Sequence, residues 1–216
     1  GILATEHGKF RDSEVLITTL QEIGDVYEND YARVRKFVLK AIDHLKRRKL
    51  EETLREADEG IPMLLQIGQK FWALQLLGIK IQACLLLGDR KKAHDALRLC
   101  HQIVSEEKHV APFYQSTYRI SRFLFDLWIL EEALGSASSA STVQLRKKAH
   151  QSGKLAFKNS MKCAFGRTEI LNLMGVYYWL IKKPRKAWAW WQKSVKVGRA
   201  LGDRKSVGEG KLLDLG

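Results

Sequence analysis

An all-α fold of antiparallel helix hairpins, stacked side by side, is what this sequence predicts, and three observations carry the prediction. Prolines number only three (Pro62, Pro112 and Pro184), while Leu, Ala, Lys, Arg and Glu abound, a balance that favours helices over strands and kinks. Leu171-x2-Met174-Gly175-x2-Tyr178, followed by Ala187-x3-Trp191-x2-Ser194, sets two amphipathic helices back to back with small residues where their backbones must touch. The same first-helix spacing recurs at Leu20-x2-Ile23-Gly24-x2-Tyr27, with Val34-x3-Val38-x2-Ala41 as its second helix.

Apolar periodicity predicts helices over 13–27, 30–48, 51–67, 70–87, 90–107, 112–134, 142–164, 167–181 and 185–201. Asp12 and Ser13 are the expected caps of the first, because their oxygens can accept its free amide hydrogens. Pro62 falls inside 51–67 and is expected to kink or split it. Phe71 to Leu87 is apolar but interrupted by Gln75, Lys80 and Gln82, which reads as a buried helix rather than a membrane span. Gly88 stops that helix and Asp89 caps the next. Ala93, Leu97 and Cys100 continue as a second-helix face, which puts Ile81 at the close-approach position. The small residues of Gly135 to Thr142 read as a flexible connector. Pro184 suits a first helical turn, where no amide hydrogen is needed.

Residues 203–216 lack helical periodicity and hold three glycines in nine residues. They look like the read-through translation of a sequencing adapter. The opening Gly1-Ile2-Leu3-Ala4, without an initiator Met, argues for a piece of a longer protein. The expected organisation is a helical repeat region over 1–202 and a disordered or artefactual tail over 203–216.

The formal net charge is +13 and the pI about 9.7. Such a field attracts nucleic acid, anionic membranes or acidic proteins without choosing among them. Basic clusters at 33–36, 46–49, 90–92, 146–148 and 182–186 spread along the chain, and a solvated surface is preferred to a nucleic-acid footprint. Cys84, Cys100 and Cys163 are odd in number and widely spaced, which suggests a reducing, cytoplasmic setting.

Catalytic constellations fail one by one. Gly208-Glu209-Gly210-Lys211 lacks the earlier Gly and the following hydroxyl of a phosphate loop. His94 and His101 could share a helix face, but no carboxylate or Cys completes a ligand set, so no metal or cofactor is expected. Glu51-Glu52, Glu106-Glu107 and Glu131-Glu132 are adjacent on helices and diverge. Trp179, Trp188, Trp190 and Trp191 are read as packing in preference to a base-stacking surface.

The motifs at 171–178 and 187–194 resemble the tetratricopeptide repeat, W-x2-L-G-x2-Y then A-x3-F over about 34 residues. The run Arg167 to Leu180, continued by Lys186 to Ser194, is similar to repeats at the C-terminal end of large bacterial signalling proteins that join a cyclase or kinase domain to a STAND-type ATPase. That resemblance implies a right-handed superhelix and a non-catalytic scaffold or sensor segment, with no catalytic residue carried over. It also implies a ligand groove along the first helices, at Asn172, Val176 and Trp179 in the strong repeat and at Gln75 and Gln82 in the middle one. The expected partner is a protein or peptide, or a neighbouring domain of the same chain. The alternative is a basic repeat module that binds nucleic acid. No membrane or small-molecule partner is implied.

Overall fold

The computed structural model describes residues 8–135 and 139–201, together with Ile2 and Thr5. Among the described residues the regular elements are helices and none is a strand. In order they are α1 (Phe10–Val26), α2 (Asp30–Lys46), α3 (Leu50–Gln66), α4 (Lys70–Leu86), α5 (Arg90–Glu106), α6 (Pro112–Gly135), α7 (Ser139–Lys162), α8 (Arg167–Leu180) and α9 (Pro184–Ala200). Two compact units result, residues 1–125 and residues 126–216, with α6 contributing Pro112 to Phe125 to the first.

The first unit has a strict cadence. Helices α1 to α5 are each 17 residues long and begin twenty residues apart, at Phe10, Asp30, Leu50, Lys70 and Arg90. Between α2 and α3, α3 and α4, and α4 and α5 run three-residue turns whose middle residue is left-handed: Arg48 at φ 61°, Gly68 at 73° and Gly88 at 75°. Each turn closes with the same pair of amide bonds. Arg48 N–H donates to Leu45 O and Lys49 N–H to His44 O; Gly68 and Gln69 donate to Leu65 O and Leu64 O; Gly88 and Asp89 donate to Leu85 O and Cys84 O. This paired 5→2 and 6→1 closure satisfies carbonyls the helix end would orphan. In the second unit Lys182 (φ 57°) joins α8 to α9 in the same way, its N–H donating to Trp179 O and that of Lys183 to Tyr178 O.

Sequential helices pack on each other, α1 to α5 in the first unit and α7 to α9 in the second. In addition α2 packs on α4, and α4 meets the start of α6 where a Cβ on Gly78 would lie 2.8 Å from the Thr117 carbonyl carbon. Helices α2, α4 and α6 therefore form one row, with α3 and α5 in the other. Central in that packing, α4 is buried from Trp72 to Ile79 and again at Ile81, Ala83 and Cys84, with Lys80 and Gln82 partly open between them. Leu64, Leu74, Leu76, Leu77, Ile79, Ile81 and Leu97 lie fully inside.

Several sequence expectations need correction. Helix α1 starts at Phe10, so Asp12 and Ser13 fall in its first turn rather than at its cap; Lys9 takes that place without a side-chain bond. The hydroxyl of buried Ser13 accepts instead from Thr5 Oγ1 at 2.8 Å. Helix α3 runs unbroken through Pro62, whose ring only removes the amide that the Asp58 carbonyl would have received. The close-approach residue of α4 is Gly78, not Ile81, because α4 is a turn longer than α8 and the 34-residue template is out of step there. Of the expected connector at 135–142, Gly135 closes α6 and residues from Ser139 onward open α7; 136–138 lie outside the described residues. So does the tail at 203–216. Asp89 and Pro184 do what was expected, Asp89 Oδ1 accepting from the Lys92 amide at 3.0 Å and Pro184 starting α9.

Candidate interaction site

Because α3 and α5 belong to the same row without packing tightly on one another, they leave an open groove floored by α4. It has a volume of about 400 Å³. Its apolar part is Ile61 and Pro62 from α3, Leu77 from α4, and Ala96 and Leu99 from α5. Asp58, Lys80, Lys92 and Asp95 supply charge along its walls. Lys80 Nζ holds Asp58 Oδ1 at 2.5 Å, and Lys92 Nζ lies 3.1 Å from Asp89 Oδ2. Pro62 and Asp58 both line this wall, and Pro62 lacks the amide that the Asp58 carbonyl would receive in a regular helix. Cys84 is buried, and burial pushes its thiol up to about 11, which leaves almost no thiolate at neutral pH. Among the described residues no cluster of His, Cys, Asp and Glu could hold a metal ion.

The five residues proposed from the sequence occupy two settings. Gln75 is 1% exposed, and its amide donates to Phe113 O of α6 at 3.3 Å. Gln82 donates to Ser121 Oγ of α6 at 3.2 Å. Both thus bridge the α4–α6 contact, and neither lines the α3–α5 groove. In the second unit Val176 is buried, and Asn172 is half-buried with its carbonyl accepting from Trp191 Nε1 at 3.2 Å. Trp179 stays open at 56% exposure. What sequence reasoning missed is the groove lining itself: Ile61, Leu77, Ala96 and Leu99 carry no motif, and only the splay of α3 from α5 brings them together.

The α8–α9 hairpin packs as its motif predicts. A Cβ on Gly175 would overlap the Trp191 indole. Ala187 is fully buried, and Ser194 Oγ donates to Thr168 O at 2.8 Å. Trp190 packs edge-on against Phe157, with ring centroids 5.4 Å apart. Trp188 is instead 62% exposed, so the packing role expected of it is not met.

Charge is not evenly spread. Residues 1–125 hold twenty Lys and Arg against seventeen Asp and Glu, whereas 126–201 hold fourteen against four. Among the described residues no helix is long and apolar enough to cross a membrane. Comparison with family models, curated proteins and solved structures returns no match for this chain.

Proposed function

We propose that this chain is a non-catalytic helical-repeat module whose first unit grips a polypeptide segment in the groove between α3 and α5. One observation carries the reading: an open, apolar-floored trough with fixed carboxylate and ammonium groups on its walls. An apolar side chain from the partner would pack on Pro62 and Leu99. A backbone amide would donate to the Asp58 carbonyl, and side-chain charges would set register against Lys92 and Asp95. The tetratricopeptide likeness of α8 and α9 and the STAND-type signalling context belong to the same proposal. In it, the array senses a partner or holds a neighbouring domain of a longer bacterial protein. Two buried free cysteines and one half-buried support a reducing, cytoplasmic setting.

Panning a random peptide library against the whole chain tests the reading. Selected peptides should bind with unchanged affinity to Lys108→Glu, whose side chain lies outside the lining, and should lose at least tenfold with Ala96→Arg or Leu99→Arg when circular dichroism is unaltered. Peptides indifferent to both groove variants, or none selected at all, would defeat it.

A further inference from the structure

Of the fourteen Lys and Arg between residues 126 and 201, several lie against one set of rings. Trp190 stacks on Tyr178 with centroids 6.4 Å apart and planes 11° apart. Phe157 of α7 closes on the edge of Trp190. Tyr178 abuts Tyr177 at 5.2 Å, and His150 of α7 stacks on Tyr177 at 5.4 Å and 16°. The result is one aromatic ladder running from α7 across α8 to α9. Lys193 Nζ sits 4.8 Å from the Trp190 centroid and Lys186 Nζ 5.8 Å from that of Tyr178. Lys154 and Lys183 face His150 closely enough to help burial hold its imidazole below the ordinary value.

These four ammonium groups differ from the first-unit cations that carboxylates answer: Lys40 with Glu56, Arg47 with Asp43 and Glu14, Lys70 with Glu106 and Glu107, Lys80 with Asp58. Among the described residues none of Lys154, Lys183, Lys186 and Lys193 forms an ion pair, and between Ser139 and Leu201 the only acid is Glu169. Self-repulsion of this kind weakens a fold, while aromatic faces hold the ammonium groups of Lys186 and Lys193 in place. The same two helices, α8 and α9, also leave Trp179 and Trp188 open to solvent.

The geometry points to a binding surface on α7, α8 and α9 for single-stranded nucleic acid, in which Lys154, Lys183, Lys186 and Lys193 neutralise phosphates and the open tryptophans stack on bases. Phosphates recur at every nucleotide, and every base offers a flat face. Lysines held on rings, with solvent-exposed indoles on the same two helices, suit that combination. An acidic polypeptide would satisfy the lysines and leave Trp179 and Trp188 unused.

Fluorescence anisotropy of the whole chain with a labelled 20-nucleotide oligouridylate, titrated between 50 and 300 mM salt, tests the assignment. Four phosphate contacts predict a log–log salt slope near −3, at roughly −0.7 per contact on single strands. Lys186→Glu/Lys193→Glu should weaken binding at least tenfold and flatten the slope by about 1.4. Lys91→Glu/Arg98→Glu, the same charge change in the first unit, should stay within twofold of the parent. Lys186→Gln/Lys193→Gln repeats the loss in smaller measure and guards against misfolding. Oligouridylate should also quench tryptophan fluorescence, while polyglutamate should not. Absent binding at 50 mM salt, an equal loss in the first-unit control, or polyglutamate binding as tightly with the same quenching would each overturn the assignment.

Discussion

Replacing Gly78 with Ala measures how much the first unit depends on the contact between α4 and α6. Alanine is the better helix former by about 1 kcal/mol, so propensity alone predicts stabilisation. Geometry predicts the opposite. The new Cβ would lie 2.8 Å from the Thr117 carbonyl carbon, 2.9 Å from Thr117 Cγ2 and 2.9 Å from the Tyr118 amide nitrogen. Two of these are backbone atoms that cannot swing aside, so the overpacking cost belongs near the top of its range, about 3 kcal/mol. Separation of the helices also weakens a bridge in which Ser121 Oγ lies 2.7 Å from both the Gly78 and the Thr117 carbonyls while accepting from Gln82; that adds about 1 kcal/mol. The net expectation is a loss of about 3 kcal/mol. Thermal melting should register it as a drop of about 6–12 °C for a chain of this size. Ser121→Ala should cost about 1 kcal/mol in the parent and much less in the Gly78→Ala background, because the bridge is already strained. A melting temperature that stays level or rises would refute the close approach.

Arg48→Gly should stabilise by up to about 1 kcal/mol in chemical denaturation, since φ 61° penalises a side chain there. Lys182→Gly, at φ 57°, should behave alike. Trp191→Phe keeps a ring over Gly175 but forfeits the bond to Asn172 O, and urea unfolding should show a loss of about 1 kcal/mol. Burial holds His44 below its ordinary value of 6.5, so the unfolded chain binds its proton first as pH falls. The associated stability is full above that value and declines as pH drops through it toward the lower folded value. Urea midpoints at pH 7.5 and 5.5 should therefore differ less in His44→Gln than in the parent.

How much of this was legible in the sequence varied by element. Gly88-Asp89 announces its turn because glycine tolerates positive φ and aspartate caps. Arg48 and Lys182 make the same turn with no glycine to mark it, so tertiary packing overrides their local preference. The start of α1 hid because Lys9 caps nothing, and that of α7 because serine and alanine read as linker yet tolerate a helix. Applying a 34-residue template to longer helices displaced the close approach from Gly78 to Ile81. For the site, Gln75 and Gln82 were recognisable as polar interruptions of an apolar helix, but not that α6 would absorb both. The α3–α5 groove has no linear signature. The charge imbalance is legible in the sequence only when basic clusters are set against the acids that answer them.

The twenty-residue rhythm of α1 to α5 has a genetic consequence. An insertion or deletion of one residue within a helix rotates everything beyond it by about 100° and turns buried faces outward. Loss or gain of a whole hairpin keeps every turn in phase and meets the next helix with the face it expects. Recombination in such a gene is therefore tolerated in forty-residue steps and punished in between, which lets the first unit lengthen or shorten while its individual helices stay the same size.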